Sequence, residues 1–240
     1  MIFYYVRHGD PIYEPDSLTE LGYKQAAALA KRFSLYGLDE IYASTSIRAQ
    51  QTAEPTCAAL NKGKTLLDWT NEGHAWWEFT IEKEGGRREW IFGDSGYRQL
   101  LNSPEVLALG SKWYEHPSFA SHPFKKGMER ISKETDELLL SLGFAHDREK
   151  GYYRVVKPSD KERRVALFAH AGFGMAFLSS LLDIPYPYLM ARMDLSHSSV
   201  TVVHFDESLD VIYPRVLQWA NDSHLYKEDI LTGYNNLIDI

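Results

Sequence analysis

Residues 2–10 read IFYYVRHGD, and this stretch decides how the fold begins. Ile2 to Val6 are apolar, aromatic or β-branched, with no alternation between polar and apolar residues. Such a run is typical of a strand that is buried on both faces inside a parallel sheet. Arg7, His8 and Gly9 follow directly, so the strand is expected to deliver a cation and a titratable ring to one edge of the sheet.

The rest of the chain alternates between helix and strand patterns. Ser17 to Glu20 (SLTE) has the spacing of a capping box and predicts a helix that ends at Gly37. A later helix contains Pro55, which predicts a kink or a restart. Strands are predicted at 39–44, 163–170, 198–205 and 211–219, with a further helix in GFGMAFLSSLL. This order predicts a three-layer α/β/α fold around a largely parallel central sheet.

The length of 240 residues, with 44% hydrophobic residues, suits one substantial core. We therefore expect a single domain over residues 1–240. Residues 79–150 interrupt the strand and helix alternation, since they are charged and aromatic, carry EGG near their start and include helical stretches. We interpret residues 79–150 as an inserted, partly helical, cap-like subdomain.

The composition excludes several classes of protein. A formal net charge of −7 argues against a protein that holds a nucleic-acid backbone, because that task needs a basic face. Cys57 is the one cysteine, so neither a disulfide framework nor a cysteine zinc cluster is possible. No apolar run resembles a signal peptide or a membrane span, and we expect a cytoplasmic protein without a membrane partner. The sequence does not indicate an oligomeric state.

Four charged or titratable side chains are expected at one sheet edge. Arg7 and His8 follow the first strand, His170 follows a later strand, and Arg48 lies in the first turn of a helix that follows another. Ligands of parallel α/β sheets bind at the carboxyl ends of strands. An arginine at a helix N-terminus is disfavoured by the helix dipole unless an anion lies between them. The pattern therefore indicates an anion site.

The residues also resemble a known family. YYVRHGD, LTELGYKQAAAL, YASTSIRAQQTAEP and VALFAHAGFGMAFLSSLL, in this order, are similar to segments of the histidine phosphatase superfamily, which includes phosphoglycerate mutases and acid phosphatases. NDSHL near the end also resembles a segment of its phosphatases. The resemblance covers about the first sixty residues and most of the last eighty, and it omits the insertion.

This resemblance implies catalysis by a histidine that takes the phosphoryl group. It makes His8 the nucleophile, Arg7 and Arg48 the clamp on the phosphate, and His170 the second histidine of the pocket. Guanidinium groups stabilise the charge that develops on phosphoryl oxygens, and a neutral imidazole is a competent nucleophile near pH 7. Gly9 is expected to let the backbone approach those oxygens.

The resemblance also implies a glutamate that protonates the leaving group. LLDWTNEGHAWWEFTI offers Glu72 and Glu78, with Asp68 as a third choice. Many relatives follow this glutamate with glycine and then Trp-Glu-Gly, whereas here Phe79 follows Trp77 and Glu78. We prefer Glu72, and the alternative is that one of the two glutamates only caps a turn in an acidic loop.

These features predict a metal-independent phosphomonoester phosphatase that acts through phosphohistidine on a small-molecule phosphate ester. The other histidines show no metal-ligand spacing, and no cofactor motif is complete, so we expect neither metal nor cofactor. A phosphoglycerate mutase-type enzyme is the alternative. A non-catalytic protein that binds a phosphate ligand is a third hypothesis, although it would not need a nucleophile. The segment after RHG lacks the asparagine found in mutases, which favours the phosphatase.

Overall fold

The structure is a computed structural model that describes residues 1–233. Its strands are β1 (Ile2–Arg7), β2 (Pro11–Tyr13), β3 (Asp16–Leu18), β4 (Glu40–Ser44), β5 (Thr65–Leu67), β6 (Thr80–Glu82), β7 (Arg88–Trp90), β8 (Phe144–Asp147), β9 (Tyr152–Val155), β10 (Arg164–Ala169), β11 (Val200–His204) and β12 (Arg215–Asn221). Its α-helices are α1 (Glu20–Tyr36), α2 (Ile47–Leu60), α3 (Glu72–Phe79), α4 (Ser95–Leu101), α5 (Pro104–Ala108), α6 (Phe124–Ser141), α7 (Ala171–Leu182), α8 (Tyr186–Arg192) and α9 (Ser223–Tyr226).

A six-stranded sheet with the order β12-β11-β1-β10-β4-β5 forms the centre of the molecule. The strands β1, β10, β4 and β5 pair in parallel with one another, whereas β11 pairs antiparallel with β1 and with the edge strand β12. The predicted α/β fold with a mostly parallel sheet and flanking helices is confirmed.

The uniform apolar character of β1 follows from burial on both faces. Phe3 and Tyr5 belong to one hydrophobic cluster, and Tyr4 and Val6 belong to another. The second cluster contains the inward faces of α1 and α2, for example Phe33, while the first contains much of α6 and α7. Each face of β1 therefore packs against its own helical layer. An alternating pattern of polar and apolar residues would have buried polar side chains in one of the two hydrophobic clusters.

The segment 79–150 contributes to the larger of these two clusters. Trp113, Phe124 and Ile131 are fully buried in it together with residues of β1 and α7. Helix α6 packs directly against α7 and α3. The sheet and this segment therefore share apolar packing, and the boundaries at 79 and 150 stay a prediction.

Three local expectations were wrong. The N-cap of α1 is Thr19, whose hydroxyl accepts from the amide of Gly22 at 3.0 Å, while Ser17 belongs to the β2–β3 hairpin. Helix α2 does not restart at Pro55 but continues through it, because its buried face packs against the sheet and α1 on both sides of the proline. The last strand is Arg215–Asn221 and not 211–219, since its register is set by pairing with β11.

Candidate active site

The parallel pairing of β1 with β10 brings the two predicted histidines together. Arg7 pairs with Ala169 in the sheet register, so the next residue of each strand, His8 and His170, leaves the sheet at the same edge. Their ring centroids lie 5.2 Å apart. Both residues are buried, with 2% and 0% of their surface exposed. The two rings therefore lie together in a region that is buried from solvent.

The backbone determines the tautomer of His8. Its Nδ1 lies 2.7 Å from the carbonyl oxygen of Gly9, which can only accept, so Nδ1 carries the proton. Burial lowers the pKa of His8 well below its usual value, and the nearby charge of Arg7 lowers it further. Near neutral pH the ring is neutral and the lone pair is on Nε2.

His170 is held by three contacts. Its Nδ1 accepts from Arg48 at 3.2 Å, which leaves the ring proton on Nε2, 2.8 Å from the hydroxyl oxygen of Ser44. The hydroxyl of Tyr5 donates to its backbone carbonyl at 2.6 Å. Burial, followed by the charge of Arg48, lowers the pKa of His170 well below its usual value. This ring is neutral too.

Arg48 lies in the first turn of α2, as predicted, and is 8% exposed. Its Nη1 donates to a carboxylate oxygen of Asp16 at 2.8 Å, and its guanidinium lies 5.2 Å from the centre of the Tyr13 ring. Both partners come from the β2–β3 hairpin. The hairpin therefore holds the guanidinium beside His170, although the helix dipole disfavours a cation there.

Arg7 is 4% exposed and is held from another side. Its Nη1 donates to the carbonyl of Leu195 at 2.5 Å, and its Nη2 donates to Nε2 of His197 at 2.7 Å. Within residues 1–233, neither the Nε of Arg7 nor that of Arg48 has a hydrogen-bond acceptor, and both atoms are buried. Two desolvated cations with unused N–H donors make this space strongly attractive to an anion.

Gly9 is required by close backbone packing. A Cβ at this position would lie 2.8 Å from the carbonyl oxygen of Gly22 in α1. The Gly9 amide donates to the hydroxyl of Thr52 at 2.9 Å. The contact that forbids a side chain here is therefore the contact with α1, and a role of Gly9 toward a ligand stays a prediction.

Glu72 lies at the start of α3 and reaches the first turn of α7. Its two carboxylate oxygens accept from the amides of Gly172 and Phe173 at 3.0 and 3.1 Å. Burial raises the pKa of Glu72, while these amides and the charge of Arg48 oppose the rise. The structure thus brings Glu72 to the turn that follows His170.

Glu78 has a different environment. Both of its carboxylate oxygens accept from Arg130 of α6, at 2.8 and 2.6 Å, and the residue is 8% exposed. This two-point ion pair joins α3 to α6. Asp68, the third choice, is exposed and accepts from Thr45 and from the ring of His74. The structure brings neither carboxylate to the two histidines.

The sequence analysis missed His197. The centre of its ring lies 5.6 Å from that of His8, and it receives a hydrogen bond from Arg7. Burial, together with Arg7, lowers its pKa to about 3. Its segment immediately precedes β11, which is antiparallel to β1, so the start of β11 lies at the same edge as the end of β1. His197 could have been predicted from the sequence by also considering residues just before a strand that runs antiparallel to β1.

The NDSHL segment contacts the pocket through Ser198, which precedes β11. The Nε2 of His224 lies 2.9 Å from the hydroxyl of Ser198, and the amide of Ser198 donates to the carbonyl of His8 at 3.0 Å. Arg32 of α1 binds the carbonyl and the side chain of Asn221. The C-terminal segment therefore contacts the turn that packs on His8.

Comparison with known proteins identifies a similar family and similar folds. The family model described as histidine phosphatase superfamily (branch 1) matches residues 3–94. The resemblance inferred from the sequence is confirmed. The matched range includes Arg7, His8, Arg48, Glu72 and Glu78.

Solved structures share the fold. A mycobacterial glucosyl-3-phosphoglycerate phosphatase in complex with inorganic phosphate superposes with a TM-score of 0.60 at 20% identity, covering 93% of this chain and 98% of that one. The phosphoserine phosphatase of Entamoeba histolytica has a TM-score of 0.58 at 17% identity, with coverage of 93% and 98%. None of the curated proteins matches the sequence.

Residues 1–233 contain neither a metal-ligand cluster nor a membrane-spanning helix. No group of three or more His, Cys, Asp or Glu side chains has an arrangement that could hold a metal ion. In the same range, none of the helices is long and apolar enough to cross a membrane.

We expect inorganic phosphate to stabilise the protein, because a bound anion can accept from the buried Nε–H groups of Arg7 and Arg48. In thermal unfolding, phosphate at about 100 times its dissociation constant should add about 2.7 kcal/mol to the free energy of unfolding. Arg48→Met should remove most of this gain. Exposed Arg154→Met, as a control, should keep it. An equal gain in both variants would show that the anion binds elsewhere.

Proposed function

We propose that this protein is a metal-independent phosphomonoester phosphatase in which His8 carries the phosphoryl group. The observation that carries the proposal is the pair of buried guanidinium groups, each with an unused N–H donor, beside a neutral histidine whose Nε2 is free to attack. The activities named for the two structural neighbours are both phosphatase activities, which supports the reaction class.

In the first step, the lone pair on Nε2 of His8 attacks phosphorus. A P–N bond forms, the P–O bond to the alcohol breaks, and the alcohol oxygen takes a proton from Glu72. Arg7 and Arg48 neutralise the charge on the oxygens that do not react. In the second step, water attacks the phosphohistidine and gives a proton to Glu72. The P–N electron pair returns to Nε2, and inorganic phosphate leaves.

The pKa values of His8 and Glu72 are shifted in opposite directions, which favours this pair of roles. Burial lowers the pKa of the nucleophile, so His8 keeps its lone pair when the solution becomes mildly acidic. Burial raises the pKa of Glu72, so this carboxyl keeps its proton to a higher pH than an exposed glutamate does. A free base and a protonated acid can then coexist, which general acid catalysis requires.

Trapping the intermediate tests the central step. Brief incubation with a 32P-labelled monoester in the presence of a chelator should leave acid-labile, alkali-stable label on the wild-type protein. His8→Ala should carry no label and lose activity by on the order of a millionfold. His204→Ala, at a histidine of β11 outside the pocket, is the control and should label normally.

Two results would contradict the proposal. Label that persists in His8→Ala would exclude His8 as the nucleophile, and activity lost with the chelator and regained with a divalent ion would exclude a metal-independent reaction. Assays with phosphoglycerates distinguish the mutase alternative, since we expect release of inorganic phosphate without isomerisation of the remaining ester.

The role of Glu72 predicts a dependence on the leaving group. Glu72→Gln should slow hydrolysis of alkyl phosphates by about a hundred- to ten-thousandfold, because a poor leaving group needs the proton. Hydrolysis of p-nitrophenyl phosphate should change much less, since its phenolate leaves without help. The decline of wild-type activity as pH rises through the pKa of Glu72 should disappear in this variant.

Glu78→Gln is the matched control, because it changes the same chemical group six residues further on. It weakens the contact with Arg130, so it should lower stability and leave the ratio between the two substrates unchanged. A change of that ratio in Glu78→Gln alone would transfer the acid role to Glu78.

We propose further that the segment 79–150 acts as a cap that selects substrates. The ring of Trp90 packs against Gly172, and a Cβ at Gly172 would lie 2.3 Å from that ring. This contact places β7 next to the turn whose amides donate to Glu72. Trp76 packs edge-on against Trp90 at 5.3 Å. Aromatic surface of this kind is common in ligand pockets.

Trp90→Leu should therefore change the KM values of several monoesters by several-fold and reorder them, with kcat on p-nitrophenyl phosphate less affected. Trp77→Leu is the control, because Trp77 is 64% exposed and stacks with Arg88. An unchanged substrate ranking in Trp90→Leu would mean that the segment does not contact the substrate.

A further inference from the structure

The guanidinium group of Arg7 is held by a short segment that precedes β11. Leu195 supplies a carbonyl to Nη1 at 2.5 Å, and His197 supplies Nε2 to Nη2 at 2.7 Å. The Arg7 amide also donates to the carbonyl of Ser199 at 3.1 Å. This segment therefore contacts Arg7 through both its side chain and its backbone.

The direction of the bond to His197 follows from chemistry. Arginine has no acceptor, so Nε2 of His197 must accept, and the proton of its neutral ring lies on Nδ1. That atom faces a carboxylate oxygen of Asp10 at 3.5 Å. The other carboxylate oxygen of Asp10 accepts from the hydroxyl of Thr19 at 2.6 Å, which fixes the carboxylate.

We propose that His197, oriented by Asp10, is a positioning residue that holds Arg7 for the phosphate of a monoester substrate. The inference rests on the proposed function, because the pocket it serves is the same one. His197 does not need to touch the substrate. It acts by fixing the plane of the guanidinium, which leaves the Nε–H and the remaining terminal N–H bonds for the anion.

Two acceptors are needed for this task. A guanidinium held only through Nη1 can still rotate about that contact, whereas contacts at Nη1 and Nη2 define its plane. Groups that stabilise a phosphoryl transition state must be held within a fraction of an ångström, and a small misplacement is costly. The contact with His197 supplies the second constraint inside a buried site.

His197 can do this only as a neutral ring, because protonation of Nε2 would remove the acceptor. Arg7, Asp10 and His8 face the ring. Burial and the charge of Arg7 lower the pKa of His197 to about 3, so the ring stays neutral through the ordinary range of assay pH. Its contribution should therefore not change between about pH 5 and pH 8.

Three substitutions test this role. His197→Gln can place its amide oxygen where Nε2 lies, His197→Asn is polar and too short to reach Arg7, and His197→Leu offers no acceptor. The dissociation constant of inorganic phosphate, measured by calorimetry, and kcat/KM for one monoester are compared with wild type. His197→Leu and His197→Asn should each weaken phosphate binding about ten- to a hundredfold. His197→Gln should bind phosphate within about threefold of wild type.

Several outcomes would overturn the proposal. Phosphate affinity that is unchanged in all three variants, or lost equally in Gln and Asn while both remain folded, would show that the acceptor is not what matters. A ratio of wild-type to Gln activity that changes with an apparent pKa near 6.5 would show that His197 titrates. If His197→Leu does not fold, the difference in phosphate affinity between His197→Gln and His197→Asn tests the proposal.

The two proposals fail in different ways. If wild-type protein forms no phosphohistidine while phosphate affinity follows the His197 series, the proposed reaction is wrong and the positioning role stands. If wild type does form phosphohistidine and the series has no effect on phosphate affinity, the positioning role is wrong.

Discussion

The burial of two guanidinium groups at one edge of the sheet is the constraint on which the rest of this structure depends. Arg7 and Arg48 are each less than a tenth exposed, and moving a cation out of water costs several kcal/mol unless partners replace the solvent. The fold supplies Asp16, a backbone carbonyl and two histidine nitrogens. These partners take one hydrogen bond from each terminal nitrogen and leave each Nε–H without a protein acceptor within residues 1–233.

The unusual protonation of the pocket follows from these cations. His8, His170 and His197 all have lowered pKa values, with burial as the first cause and a neighbouring arginine among the others. Their neutrality lets two rings accept from arginine and leaves a lone pair on Nε2 of His8. It also couples the site to folding, since below about pH 6.5 the unfolded chain binds protons that these rings exclude, and stability falls as the pH falls.

The elements that form the pocket come from distant parts of the chain. The β2–β3 hairpin holds Arg48, the segment before β11 holds Arg7, and α3 delivers Glu72 to the first turn of α7. Helix α3 also joins the segment 79–150 to the site, because its Glu78 forms an ion pair with Arg130 of α6. The two carboxylates that the sequence could not separate thus have different structural partners.

The sequence by itself determined the buried strand, the α/β order and the residues at the ends of the parallel strands, because these depend on periodicity and on chain direction. Arg7, His8, Arg48 and His170 were found in this way. Tertiary structure alone decided between the environments of Glu72 and Glu78, since both lie on one short helix and differ only in what packs against them. It also decided the place of His197, whose strand runs antiparallel to β1. Contacts between distant segments are set by packing, and no local pattern encodes them.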